Sequence, residues 1–193
     1  MSMKRFAVII LLALLGACTS SEPPFSGTDI SILDMGEPIE LKSSADGKPL
    51  SVKNFKGKVV AVFFGYAQCP HICAPVLYRL AKARAALAEQ KSDFQILFIT
   101  VDPKEDTPEK LAKFVSTFDA DIIGLTGTVA EIEKTKQHYK VAAITRMENN
   151  KKVIDHTGSI YMYDTKGNIR LLYSQNTKPE ELATDIRTLL SQK

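Results

Sequence analysis

Cys69 and Cys73 stand four residues apart in Gly65-Tyr66-Ala67-Gln68-Cys69-Pro70-His71-Ile72-Cys73. Two thiols this close can grip a soft metal ion, exchange with another disulfide, or close into a disulfide themselves. At i and i+4 on a helix, two side chains share a face with their Cβ atoms about 5–6 Å apart. A relaxed disulfide wants about 3.5–4.5 Å, so the pair must distort a first helical turn to close, and the spacing suits two sulfurs around a metal better. Pro70 fits a first helical position, which makes Cys69 the N-cap and places Cys73 one turn further in. A helix N-terminus lowers thiol pKa values, and that favours thiolates for metal binding and for exchange alike. Thiolates with imidazole select Cu(I), zinc or iron–sulfur clusters. Two cysteines and one histidine leave zinc short of its usual closed shell of four.

A nitrogen ligand must come from one of three histidines. His138 falls within a helical stretch beside Tyr139 and Val141 and reads as structural or solvated, since buried polar groups are commonly just satisfied. His71, two residues from each cysteine, points to the opposite side of a helix from their shared face; it can tune the thiolates but is a poor direct ligand. His156 follows a strand and precedes Thr157-Gly158, and two readings stand side by side: a metal ligand, or a turn residue bonded to its own backbone.

Something must hold these residues together. Lys58–Tyr66 (KVVAVFFGY) and Phe94–Val101 (FQILFITV) are β-branched and aromatic runs of the kind buried on both sheet faces. Between them Pro70 to about Gln90 has helical period, with Val76, Leu80, Ala83 and Leu87 on one face beside Leu77. Thr107-Pro108 opens a helix to Phe118, a short strand follows near Ile122–Leu125, and Thr128-x-x-Glu131 is a capping box for a helix to about Tyr139. Val153–Ile154 and Ser159–Tyr163 are strand-like. Asp164–Asn168 is a turn, Ile169–Tyr173 completes a hairpin, and Lys178-Pro179 begins a helix to Leu190. Upstream, Ile30 to Val52 reads as short strands around turns, Asp46-Gly47 being the strongest hairpin signal. Buried strands alternating with amphipathic helices predict an α/β sheet with right-handed crossovers. A central βαβ unit, then an antiparallel hairpin and a terminal helix, is the thioredoxin-like plan, here with an N-terminal β-hairpin extension. That plan puts the cysteines at the end of the first buried strand.

The first residues carry a different message. Lys4 and Arg5 precede an apolar run from Phe6 to Leu15, then Gly16, Ala17 and Cys18, which describes a secretory signal too short to span a bilayer. Leu15-Gly16-Ala17-Cys18 resembles a bacterial lipobox, which makes 1–17 a lipoprotein signal peptide and Cys18 the lipidated first residue. Residues 18–28 read as a tether, polar and Pro-containing through Pro24, and 29–193 as the one domain that the length allows. The implied place is the bacterial cell envelope, lipid-anchored, with the domain outside the cytoplasm. A residue other than aspartate after the lipidated cysteine, here Thr19, weakly favours an outer membrane where there are two. With Cys18 lipidated, three cysteines leave one close pair in an oxidising compartment, and so small a loop removes little entropy; its role is chemical rather than structural. Without Lys4 and Arg5, the 25 basic residues fall to 23 against 22 acidic. No basic patch interleaved with aromatics appears, which argues against nucleic acid.

FFGYAQCPHIC, VDPKEDTPEKLAKF and VIDHTGSIYMYDTKGNI, in that order and spacing, resemble the Sco/SenC family over about residues 30–190. The resemblance implies a thioredoxin-like fold binding a copper ion through Cys69, Cys73 and His156. It implies an assembly factor, as copper donor or thiol reductant, for the dinuclear copper site of a respiratory cytochrome oxidase, with that copper-site subunit or another exported copper protein as partner. Asp102-Pro103 and Asp106-Thr107-Pro108 match a family loop that shapes the rim of the site, or simply cap a helix and form a turn. The chain departs from the family pattern at Ala74, which precedes Pro75, and at Glu105, where a basic residue is common; neither is a ligand. The competing expectation is an envelope thiol–disulfide oxidoreductase acting on exported proteins through the redox-active pair Cys69 and Cys73. Against it, the spacing has one residue more than Cys-x-x-Cys, and no proline occurs from Lys140 through Lys178 to face the cysteines. The chain thus reads as a copper carrier with redox-active cysteines rather than a turnover enzyme.

Overall fold

The computed structural model describes residues 25–192 except 34, 36 and 37. The signal-like run, Cys18 and residues 19–24 of the tether lie outside the described residues. In chain order the elements are β1 (Thr28–Asp29), β2 (Leu41–Ser43), β3 (Pro49–Leu50), β4 (Val59–Gly65), α1 (Cys73–Ala86), β5 (Phe94–Thr100) and α2 (Pro108–Ser116). Then come β6 (Ile123–Thr126), α3 (Val129–His138), β7 (Ala143–Glu148), β8 (Lys151–His156), β9 (Ile160–Tyr163), β10 (Ile169–Tyr173) and α4 (Pro179–Ser191).

Eight strands form one sheet in the order β1-β10-β9-β4-β5-β6-β2-β3. β4, β5 and β6 run parallel, as a βαβ unit requires, while β9 and β10 add an antiparallel hairpin beside β4. The β2–β3 hairpin, turned at Gly47, joins the far side through β6.

Every residue of β4 and β5 is buried, and successive side chains serve opposite faces. Val59, Ala61 and Phe63 meet Val76, Leu77, Leu80 and Ala83 of α1, Leu111 and Val115 of α2, and Leu182, Ile186 and Leu189 of α4. Val60, Val62 and Phe64 face the other way, toward Ile132 of α3, Tyr139, Tyr161 and Ile154. The result is the three-layered thioredoxin-like fold expected. Both foreseen side-chain caps hold: Thr107 accepts from the Lys110 amide, and Thr128 and Glu131 cap reciprocally.

Two local expectations need correction, at the start of α1 and along β8, and residues 25–28 are found against the domain. Helix α1 starts at Cys73, not Pro70, and Ile72 is its N-cap. Residues 66–72 curl into a turn instead, with the Cys69 amide bonded to the Tyr66 carbonyl at 3.1 Å and the Ala67 amide bonded to the Asp106 carboxylate. Residues 25–28, assigned to the tether, are docked on the domain: Phe25 packs against the core, and the Ser26 and Gly27 amides donate to Asp185 at 2.9 and 3.0 Å. Finally, β8 is longer than Val153–Ile154 and pairs with an unforeseen β7 to make a separate two-stranded arm. Asn149 and Asn150, with φ of 50° and 60°, make its turn, the left-handed pair that a two-residue hairpin loop demands.

Candidate metal centre

The chain leaves β4 at Gly65 and enters α1 at Cys73. A Cβ on Gly65 would lie 2.5 Å from the Cys73 sulfur and 2.7 Å from the Phe98 ring, so only glycine lets the thiol pack against the end of the strand. Cys73 is fully buried. Cys69 is half-buried in the preceding turn, and both thiols are free. The turn is anchored by Asp106, which accepts from the Thr100 hydroxyl at 2.6 Å and from the Ala67 amide at 3.1 Å. Burial raises the Asp106 carboxyl above its ordinary value, and these two donors offset part of the shift.

His156, last residue of β8, reaches this pair from the other side. Its Nε2 lies 3.5 Å from the Cys73 sulfur and 3.8 Å from that of Cys69. Its Nδ1 lies 3.1 Å from the Thr157 carbonyl oxygen. A carbonyl can only accept, so the ring proton sits on Nδ1 and the Nε2 lone pair faces the sulfurs. The edges of the Phe63 and Tyr66 rings wall the imidazole at centroid distances of 6.2 and 6.0 Å. Tyr66, nearly buried, also accepts the Ile154 amide on its hydroxyl at 3.0 Å.

The two sulfurs share a proton unequally. The Cys73 thiol donating to it brings Cys69 down to about 3 against the opposing cost of burial. Burial, and then the neighbouring Cys69 anion, push Cys73 far above the ordinary thiol range. The pair therefore gives up one proton readily and holds the second until something positive displaces it.

Cys69 Sγ, Cys73 Sγ and a His156 ring nitrogen all lie within 4.8 Å of one another. Two sulfurs and an imidazole nitrogen make a soft donor set, suited to Cu(I) or a borderline ion of similar taste. The arrangement brings together the three side chains singled out in the sequence. His71 is exposed on the wall of a neighbouring cleft. His138 ends α3 against Tyr139, its Nε2 buried without a hydrogen-bond partner, and is not among the converging donors.

Sequence reasoning missed the contacts that bring His156 there. Lys152 Nζ meets Asp102 Oδ2 at 2.5 Å, and the Tyr66 hydroxyl takes the Ile154 amide. The strand-like Val153–Ile154 beside His156 marked the region, but no local signal pairs Lys152 with a carboxylate fifty positions earlier.

A family model described as SCO1/SenC matches residues 33–191. The mitochondrial SCO1 homolog of Mus musculus is 31% identical over 156 residues, 79% of this chain and 55% of that protein. The chain spans about half the length of the curated relatives it matches. Among solved structures, Bradyrhizobium japonicum ScoI with copper bound superposes with a TM-score of 0.71 at 33% identity, covering 79% of this chain and 97% of that one. A SCO1/SenC family lipoprotein from Bacillus anthracis str. Ames superposes at 0.66 with 29% identity, over 79% and 93% of the two chains.

Proposed function

The chain belongs to the SCO1/SenC family, and from that premise we propose that it is a copper-binding assembly factor for the dinuclear copper site of a respiratory cytochrome oxidase. One observation carries the reading: the Cys69, Cys73 and His156 donor atoms converge within 4.8 Å. Copper is the cargo, held by the two sulfurs and Nε2. The ScoI relative from Bradyrhizobium japonicum, solved with copper bound, supports the choice of metal.

In this proposal each ligand has a part that the geometry supports. Cys69, already anionic and the more accessible sulfur, receives the ion first. Cys73, within the same cluster, then loses its proton to the incoming charge. His156 completes the set from the neutral tautomer that the Thr157 carbonyl selects. Because only thiolates ligate, closing Cys69 and Cys73 into a disulfide removes two of three ligands and couples binding to redox state.

A second reading shares the site. A reduced pair can pass two electrons and two protons to a disulfide of the oxidase subunit, closing its own disulfide and leaving two client thiols. Here the low pKa of Cys69 makes it the attacking sulfur, and buried Cys73 resolves the mixed disulfide. The anchor belongs to the same proposal: Cys18 in its lipobox-like setting is the lipidated residue, holding the domain at a bacterial envelope membrane, and the lipoprotein from Bacillus anthracis supports it.

Anaerobic titration of the reduced chain against a Cu(I) chelator tests the copper reading. It expects one tightly bound equivalent, lost on oxidation to the disulfide and lost in each of Cys69→Ala, Cys73→Ala and His156→Ala. Unchanged affinity in His156→Ala removes the three-ligand site. No binding by the reduced wild type removes the copper function and leaves thiol exchange.

A further inference from the structure

Among the described residues no strand pairing joins the β7–β8 arm to the sheet that carries the cysteines: β7 pairs with β8 alone. At its base, the Ala142 amide donates to the Thr157 hydroxyl and the Thr157 amide to the Ala142 carbonyl, both at 3.0 Å. These bonds close the hairpin on itself and leave its angle to the domain undetermined. The outer strand is exposed, with Ile144 and Met147 each 68% accessible.

What presses the arm down is one face of β8. Lys152, Ile154 and His156 occupy alternate positions, so they share a face. Ile154 is buried in the core under the sheet, and its amide bonds the Tyr66 hydroxyl. Lys152 spans the mouth of the cleft to Asp102, the second residue after β5. Asp102 is a firm anchor, because its amide donates to the Thr100 hydroxyl at 2.9 Å and its side chain is only 9% accessible.

We propose that Lys152 is a positioning residue for the metal centre: through its ion pair with Asp102 it holds the arm closed and so sets His156 beside the two sulfurs. The closed arm covers the Asp102 carboxylate, close to that of Asp106. Without the ammonium group, a covered carboxylate has lost its partner and has a second acid for a neighbour, which is costly. Lifting the arm readmits water and relieves that cost, and it carries the imidazole away from the cysteines. Apparent affinity then falls by the fraction of molecules in which the arm remains closed. The effect on affinity rests on the copper reading above, whereas the effect on the arm does not.

The experiment therefore has two readouts on the full chain, reduced and metal-free at the start. Hydrogen exchange follows the amides of residues 151–157, and chelator competition then measures Cu(I) affinity. Lys152→Ala is expected to speed arm exchange and weaken Cu(I) binding, each by about 3–10-fold, with exchange in β4 and α1 unchanged. Lys152→Arg, which keeps the charge, is expected to restore both. In the wild type, raising salt should speed arm exchange in the same direction, since screening weakens a half-exposed pair; this needs no variant to fold. Arm exchange and affinity within about twofold of wild type in Lys152→Ala, or an arm indifferent to salt, overturns the proposal. A wild type that binds no Cu(I) defeats the copper reading alone, and the exchange data still decide the role of Lys152.

Discussion

The sulfur side and the imidazole side of the centre are built on different principles. Cys73 begins α1 with its thiol against Gly65 and the Phe98 ring, inside the same apolar layer as Phe63, Val76 and Leu80. Cys69 follows from a turn pinned by Asp106 to the end of β5. His156 ends an arm outside the main sheet, held through Ile154, the Tyr66 hydroxyl and the Lys152–Asp102 pair. Two ligands thus share the stability of the core, and the third depends on a few contacts at the periphery. Such a division suits the proposed copper carrier, which would have to release its cargo. Local opening costs far less than global unfolding, so one ligand can withdraw while the others keep their geometry.

Substitutions on the two sides should accordingly fail in different ways. The largest effect is expected at Gly65. In Gly65→Ala the new methyl meets the Cys73 sulfur and the Phe98 ring, neither free to move within the core. Overpacking of this kind costs about 1–3 kcal/mol, seen as a Tm lower by about 3–10 °C together with weaker Cu(I) binding. Wild-type Tm in Gly65→Ala would show that the sulfur side is not core-locked.

An intermediate effect separates the two sulfurs. Cys69 is lowered to about 3, so its thiolate persists as pH falls and is lost only near that value. Alkylation of Cys69 by iodoacetamide in the reduced metal-free chain should therefore hold nearly constant between pH 7 and pH 5. An ordinary thiol with a pKa near 8.5 slows about tenfold per unit over that range. Buried Cys73 should remain unmodified, as mapped by mass spectrometry. A tenfold fall per unit at Cys69 would contradict the unequal sharing of the proton.

The smallest effect is expected at the outer strand of the arm. Arg146 pairs with Asp155 across the hairpin at 2.6 Å and with Glu148 at 2.7 Å, all three side chains being well exposed. Exposed pairs contribute little. Arg146→Ala should leave Tm unmoved and change Cu(I) affinity by less than about twofold, since neither pair touches the domain. A larger loss would mean that the arm is stiffened along its length rather than latched through β8.

Much of this molecule was legible before its fold was known. Runs such as Val59–Gly65 and Phe94–Thr100 announce strands buried on both faces, because only the middle of a covered parallel sheet tolerates seven apolar or uncharged residues in a row. Thr107-Pro108 and Thr128-x-x-Glu131 announce helix starts, because the first amides of a helix need outside acceptors. The arm escaped notice for the converse reason. β7 is exposed almost throughout, so no burial imposes a period of two, and the Asn149-Asn150 turn was the only local signal. The start of α1 was misplaced because the expectation weighed Pro70 alone. Asp106, more than thirty residues away, takes the Ala67 amide and draws residues 66–72 into a turn.

By itself the sequence determined which chemistry is possible. Two thiols four residues apart, and one histidine beside a strand, are covalent facts that no fold can alter, and the spacing of apolar residues determined the layers that carry them. Tertiary structure alone decided that the three donors meet, which of the two sulfurs keeps its proton, and that Lys152 lies across from Asp102. These depend on burial and on distances between residues far apart in the chain. Such quantities arise only when the sheet has closed and water has been excluded from between its elements.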